Sequence, residues 1–239
     1  MIAPFMQLKQ KDIKSIVEEF NVKLNPDHRY ASFDYCYNYF RTTSNKELLK
    51  DIEKSCLVLG FYLASWGMFR GSSFLLQKNV RHFQKVIKYI STLSKNIWKI
   101  DVDRYDSNNI KIIIEIYNQI KSHTIEGTEN DVTLTTKIML GVFGFIPAFD
   151  QYFCNTFRIV FYNECGFRRV NMKSLELIKE FYNANKKEID KLSNKIRTID
   201  FSTGRKTTIR YPKAKIIDMY GFTKGLKRSI LEKQKLLSL

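Results

Sequence analysis

"VTLTTKIMLGVFGFIPAFDQYFCNTFR", residues 132–158, holds two helical patterns separated by a break that backbone chemistry explains. Residues 132–143 are apolar or small nearly all round, as in a helix buried on every side. Gly144 follows, and glycine stops helices readily because it enters left-handed backbone without a Cβ clash. Pro147 lacks an amide hydrogen and keeps the helix from resuming at once. Asp150 then precedes "QYFCNTFRIVFYN", where a carboxylate accepts the free amides of a new helix and meets its positive end. The stretch therefore predicts helix, glycine stop, short turn, aspartate cap and second helix. It also leaves one charge among Phe143, Phe145, Ile146, Phe149 and Phe153.

Outward from this stretch the helical period persists. Leu8, Ile13, Ile16, Val17 and Phe20 share one face near the start, and residues 45–66 begin polar and become apolar all round. Residues 80–98 carry a stripe of Val80, Phe83, Ile87, Ile90, Leu93 and Ile97. The isoleucine run in 108–121 suits a strand, but its length and its continuation to Ile120 favour helix. Residues 172–196 form one long amphipathic pattern, and Pro212 opens a short helix that Gly221 closes. Alternating threonine and isoleucine around Thr203 and Gly204 fit a small hairpin. The expectation is a mainly α fold: one compact multi-helix domain over 1–239, with 168–239 as a candidate basic second lobe. At most one β-hairpin, near 198–212, joins it.

The chain has 40 Lys and Arg against 24 Asp and Glu, a formal charge of +16. Residues 168–239 hold 19 of those bases and 7 of the acids, so twelve of the sixteen excess charges lie in the last third. Polyanions bind such surfaces by displacing counterions, and nucleic acid, DNA foremost, is the expected partner. Arg205, Lys206, Arg210 and Lys213 are the candidate phosphate contacts there. A solvated basic face is the alternative. Four cysteines and three histidines stand far apart, without the spacing of a metal site, so neither metal nor cofactor is expected. The first twelve residues lack a signal-like apolar core, and the apolar run 56–69 falls short of a membrane span. A cytoplasmic protein without a membrane partner is expected.

The arrangement around Asp150 resembles the helix-hairpin-helix DNA glycosylases over residues 123–158. In that family a glycine hairpin opens a helix ending in phenylalanine and glycine, and a proline-containing connection leads to the catalytic aspartate. Gly127 matches the hairpin glycine, "TTKIMLGVFG" the helix, Pro147 the connection and Asp150 the aspartate. Glu129 stands where the second hairpin glycine would be, and the chain lacks the four-cysteine iron–sulfur pattern of some members. The resemblance implies a nucleic-acid-binding hydrolase that removes a modified or damaged base. Asp150 would be its catalytic carboxylate, and Trp66, Tyr152 and Phe153 would wall the base pocket.

Three other constellations have two readings each. Arg70, Gly71, Ser72 and Ser73 offer an anion site at a helix start, or a packed turn with capping serines. The first reading makes the chain an enzyme acting on a small phosphorylated or nucleotide ligand. Asp218, set among Ile216, Ile217 and Met219, pairs with a buried arginine such as Arg70 or faces solvent. Tyr30, Tyr35, Tyr37, Tyr39 and Phe40 stack on unpaired bases or fill the core. If "WGMFRGSS" (66–73) and "FGFIPAFD" (143–150) are packed turns, the chain is a non-enzymatic helical interaction protein.

Overall fold

A computed structural model describes residues 10–22, 24–125 and 132–237, and among these the chain is mainly helical with one two-stranded antiparallel hairpin. The helices are α1 (Gln10–Val22), α2 (Ser32–Thr42), α3 (Asn45–Lys50), α4 (Ile52–Ser65), α5 (Gln84–Ile90), α6 (Ser107–Thr124), α7 (Val132–Phe143), α8 (Gln151–Val160), α9 (Met172–Ala184), α10 (Lys186–Lys195) and α11 (Lys213–Leu237). Strands β1 (Arg197–Ile199) and β2 (Lys206–Arg210) lie between α10 and α11. No described helix is long and apolar enough to cross a membrane.

The central element is α7, buried at every position except Thr133. It packs against α2, α4 and α6, while α8 packs along α11 and α11 also covers α1 and α10. The C-terminal third is thus built into the same packing as the rest. Gly144 ends α7 with φ of +73°, its amide donating to Met139 O (3.3 Å) and Leu140 O (3.0 Å). That is the left-handed helix stop read from the sequence.

Several long helical patterns prove to be broken. The 45–66 run divides at Asp51, which caps α4 by accepting from Lys54 N at 3.2 Å. The 172–196 run divides at Asn185, and 80–98 becomes a 3-10 turn at Val80–Phe83, α5, and a second 3-10 turn at Lys95–Lys99. Apolar spacing continues across each break because both halves face one core, which is why periodicity alone misses the boundary. Conversely, Gly221 does not end a helix, since α11 runs on to Leu237. A Cβ at Gly221 would lie 2.6 Å from Phe153 Cδ2, so the glycine serves helix–helix contact rather than termination.

The hairpin is tied to α2 through Asp34, which is fully buried. Its Oδ2 accepts from Ile199 N (2.9 Å) and its Oδ1 from Tyr211 OH (2.5 Å). Burial pushes its carboxyl up from the ordinary 3.8 to about 7, against the Tyr211 and Ile199 hydrogen bonds and the charge of Lys215.

Two predictions follow from this packing. In α11, a Cβ at Gly225 would press on the backbone carbonyl of Tyr152, which cannot move away as a side-chain tip can. Gly225→Ala gains roughly 1 kcal/mol of helix propensity but loses about 1–3 kcal/mol or more to overpacking. A lower urea midpoint with an unchanged slope is the expected result. For Asp34, the folded pKa lies above the unfolded one, so between about pH 4 and about pH 7 the folded state holds more protons. Its contribution is complete below the unfolded value and is lost as pH rises through about 7. Asp34→Asn is expected to flatten that decline in denaturation curves taken across the same range.

Candidate functional site

Three of the sequence motifs converge on one buried polar centre. Asp150 caps α8, its Oδ1 accepting from Phe153 N at 2.9 Å. Its Oδ2 lies 3.7 Å from Lys137 Nζ, on α7. Lys137 in turn donates to Trp66 O (2.9 Å), at the C-cap of α4. Beside them, on α11, Lys215 pairs with Asp218 at 2.8 Å, and the other oxygen of Asp218 accepts from Ala148 N at 3.0 Å. All four charged side chains are buried, and the least covered is Asp150, with 12% side-chain exposure.

Aromatic rings enclose the centre. The Lys215 ammonium sits 4.2 Å from the Trp66 ring centroid and 4.6 Å from that of Phe33. Lys137 approaches Trp66 at 5.5 Å, so the indole lies near both ammonium groups. Such contacts strengthen where water is excluded. Tyr30 lies 4.6 Å from Trp66 by centroid, and Phe222 edges toward Tyr30 (5.8 Å), Trp66 (5.8 Å) and Tyr152 (5.4 Å). Tyr30 and Tyr152 are half-buried and Arg70 is exposed, so these three form the outer side. The Trp66 Nε1 proton is buried without a hydrogen-bond partner among the described residues.

Electrostatics within the centre pull in opposite directions. Burial raises the Asp150 pKa, opposed by Lys137 and the Phe153 amide. Burial lowers that of Lys137, opposed by Asp150 and Asp218 and reinforced by Lys215 and Arg70. Tyr30 is raised first by burial, and the charges of Arg29, Asp150 and Arg70 all reach it.

Asp150, Trp66, Tyr152 and Arg70 belong to one neighbourhood, Arg70 through its charge on Lys137 and Tyr30. Phe153 does not line it: fully buried, it stacks 5.5 Å from Phe149 and 4.3 Å from Phe157. Ser73 caps a four-residue 3-10 turn, Phe74–Gln77, by accepting from Leu75 N (3.3 Å), and Ser72 is exposed beside it. Arg70 folds back, its Nε 2.9 Å from where a Gly67 Cβ would stand. A single 3-10 turn aligns too few peptide dipoles for the anion site considered there.

Arg205, Lys206 and Arg210 are exposed on the hairpin, which packs on α2 and near Pro26. Arg210 donates to Asn194 Oδ1, and Lys213 is paired with Asp103 at 3.1 Å. Gly127 lies outside the described residues. Asp218 pairs with Lys215 rather than with an arginine. Lys137 is a lone lysine in an apolar helical run, a pattern visible in the sequence, whereas Lys215 follows Lys213 at the start of α11 and carries no such signal. Among the described residues no group of three or more His, Cys, Asp or Glu could hold a metal ion.

Compared with known protein families, with curated proteins and with solved structures, the chain matches none.

Removing one partner of a buried pair strands the other charge, which costs about 3–5 kcal/mol. Lys137→Met is therefore expected to destabilise the fold by that order, and adding Asp150→Asn to restore part of it. A double-mutant cycle in urea measures the coupling.

Proposed function

We propose that the chain is a nucleic-acid-binding protein with a glycosylase-like helical core, and that the Lys137–Asp150 centre acts on an extruded base. The observation that carries this reading is the meeting of Asp150 and Lys137 with Trp66, Tyr30 and Tyr152 at the start of α8. A flipped base needs flat walls for stacking and a charged floor for chemistry, and these residues supply both. The order of elements also supports it: α6 and α7 pack together on either side of residues 126–131, then Gly144, Pro147 and Asp150 lead into α8.

The chemistry follows from the opposed pKa shifts. As the bond between sugar and base breaks, positive charge develops on the sugar, and the Asp150 carboxylate is the anion that stabilises it. Lys137, whose burial makes its proton easier to give, protonates the departing base. Water then attacks the sugar carbon and passes its proton to Asp150. The excess of basic residues in 168–239 supplies the attraction for the phosphate backbone.

A second reading, a helical interaction protein, draws on a different place. A groove of about 680 Å³ between α2 and α4 carries Tyr35, Tyr39, Leu57 and Phe61, with Phe201 of the hairpin across it. Phe61 and Phe201 are largely exposed there.

Base release from duplexes carrying damaged or modified bases tests the first reading. Asp150→Asn and Lys137→Gln are each expected to lower the rate by about 10²-fold or more. DNA binding by folded Asp150→Asn is expected to persist, with affinity that falls steeply as salt increases. Equal base release by wild type and Asp150→Asn removes the assigned role, and absence of DNA binding even in dilute buffer leaves the interaction reading.

A further inference from the structure

Away from the Asp150 centre, a cleft of about 450 Å³ opens between α9, α10 and the start of α11. Its walls are almost wholly polar: Lys179 and Tyr182 from α9, Lys186 and Asp190 from α10, Lys213 from α11, and Asp103 opposite. No apolar wall offers a seat for a base or an acyl chain. Three lysines from three helices would repel one another in a purely structural cluster, and only part of that repulsion is neutralised. Lys213 is shared between Asp103 (3.1 Å) and Asp190 (4.0 Å). Lys179 donates to the Asp103 backbone carbonyl rather than to a carboxylate. Lys186 has no hydrogen-bond or ion-pair partner among the described residues, and it borders the cleft at the first position of α10. Arg210 adds a further cation at the edge through its bond to Asn194, another lining residue. Lys179 is held below its ordinary pKa, first by burial, with Lys186 and Lys213 adding repulsion.

The carboxylates give the cleft its other character. Asp190 Oδ1 accepts from Tyr182 OH at 3.0 Å, and the amide of Asn183 stands beside them. Cations suit a phosphate group, whereas carboxylate and amide oxygens suit the alcohol hydroxyls of a sugar, which inorganic phosphate lacks. We propose that this cleft binds a sugar phosphate, the phosphate held by Lys179, Lys186 and Lys213 and the sugar hydroxyls by Asp190 and Asn183. That chemistry belongs to a free pentose phosphate and to an RNA backbone, whose 2′-hydroxyl stays unesterified. The site does not depend on the role given to Asp150, because it shares no residue with that centre.

Calorimetric titration of the full chain with inorganic phosphate, ribose 5-phosphate and a short single-stranded oligoribonucleotide tests the assignment, using wild type, Lys186→Ala, Lys186→Glu and Asp150→Asn. Lys186 is exposed, so both of its variants are expected to fold, and thermal unfolding checks this. A free-ligand site gives ribose 5-phosphate binding tighter than phosphate, weakened at least ten-fold in Lys186→Ala and further in Lys186→Glu. A backbone site gives oligonucleotide binding alone, with the slope of log affinity against log salt reduced by roughly one in Lys186→Ala. In both cases Asp150→Asn binds as wild type does, which separates this site from the base-release reading. Binding of none of the three probes, or Lys186 variants indistinguishable from wild type, overturns the proposal.

Discussion

Residues 144–150 form a connection without helix or strand, buried at every position, and the fold depends on satisfying its backbone. Water cannot reach these peptide groups, so each unpaired amide or carbonyl would carry a desolvation penalty. Side chains from elsewhere answer that demand. Tyr105 OH donates to Phe145 O, Thr133 Oγ1 donates to Phe149 O, and Phe149 N donates to Thr136 Oγ1. Asp218 of α11 takes the amide of Ala148. The end of α7 is held in the same way, with Trp98 Nε1 donating to Val142 O. These bonds fix where α8 begins, and therefore where Asp150 points.

The same reasoning explains why lysines lie inside an aromatic core. Asp218, committed to Ala148, is a buried anion and needs a cation, which Lys215 supplies from one turn earlier on its own helix. Asp150, committed to the α8 amides, has Lys137 nearby but at 3.7 Å, a looser association. One pair is closed and the other is not. The looser pair is also the more exposed. Lys215 and Asp218 thus account for themselves structurally, whereas Lys137 and Asp150 are the pair on which the proposed function rests.

Much of this was legible in the residues. Gly144, Pro147 and Asp150 declare a stop, a turn and a cap through local backbone chemistry, and Thr203 with Gly204 marks the hairpin for the same reason. What depended on distant contacts was hidden. Gly221 is locally indistinguishable from a helix terminator, and only the rings of Phe153 and Phe157 against it reveal its purpose. Asp51 and Asn185 break helices inside continuous apolar stripes, because the stripe records the shared core and not the chain's path. Phe153 shares the neighbourhood of Asp150 in sequence, but helix rotation sends it into the core while Tyr152 stays at the outer side. Lys137 needed its partner's position, seventy-one residues from Trp66, before its role could be read.

The bond from Ala148 to Asp218 spans seventy residues. During synthesis, the chain through α8 leaves the ribosome well before α11 exists to accept that amide. At the pace of translation, roughly 5–20 residues per second, the interval lasts several seconds. Throughout it the Ala148 amide has water rather than Asp218 as its acceptor, and α8 lacks the helix it will pack along. Final closure of this part of the interior therefore requires the last segment made among those described.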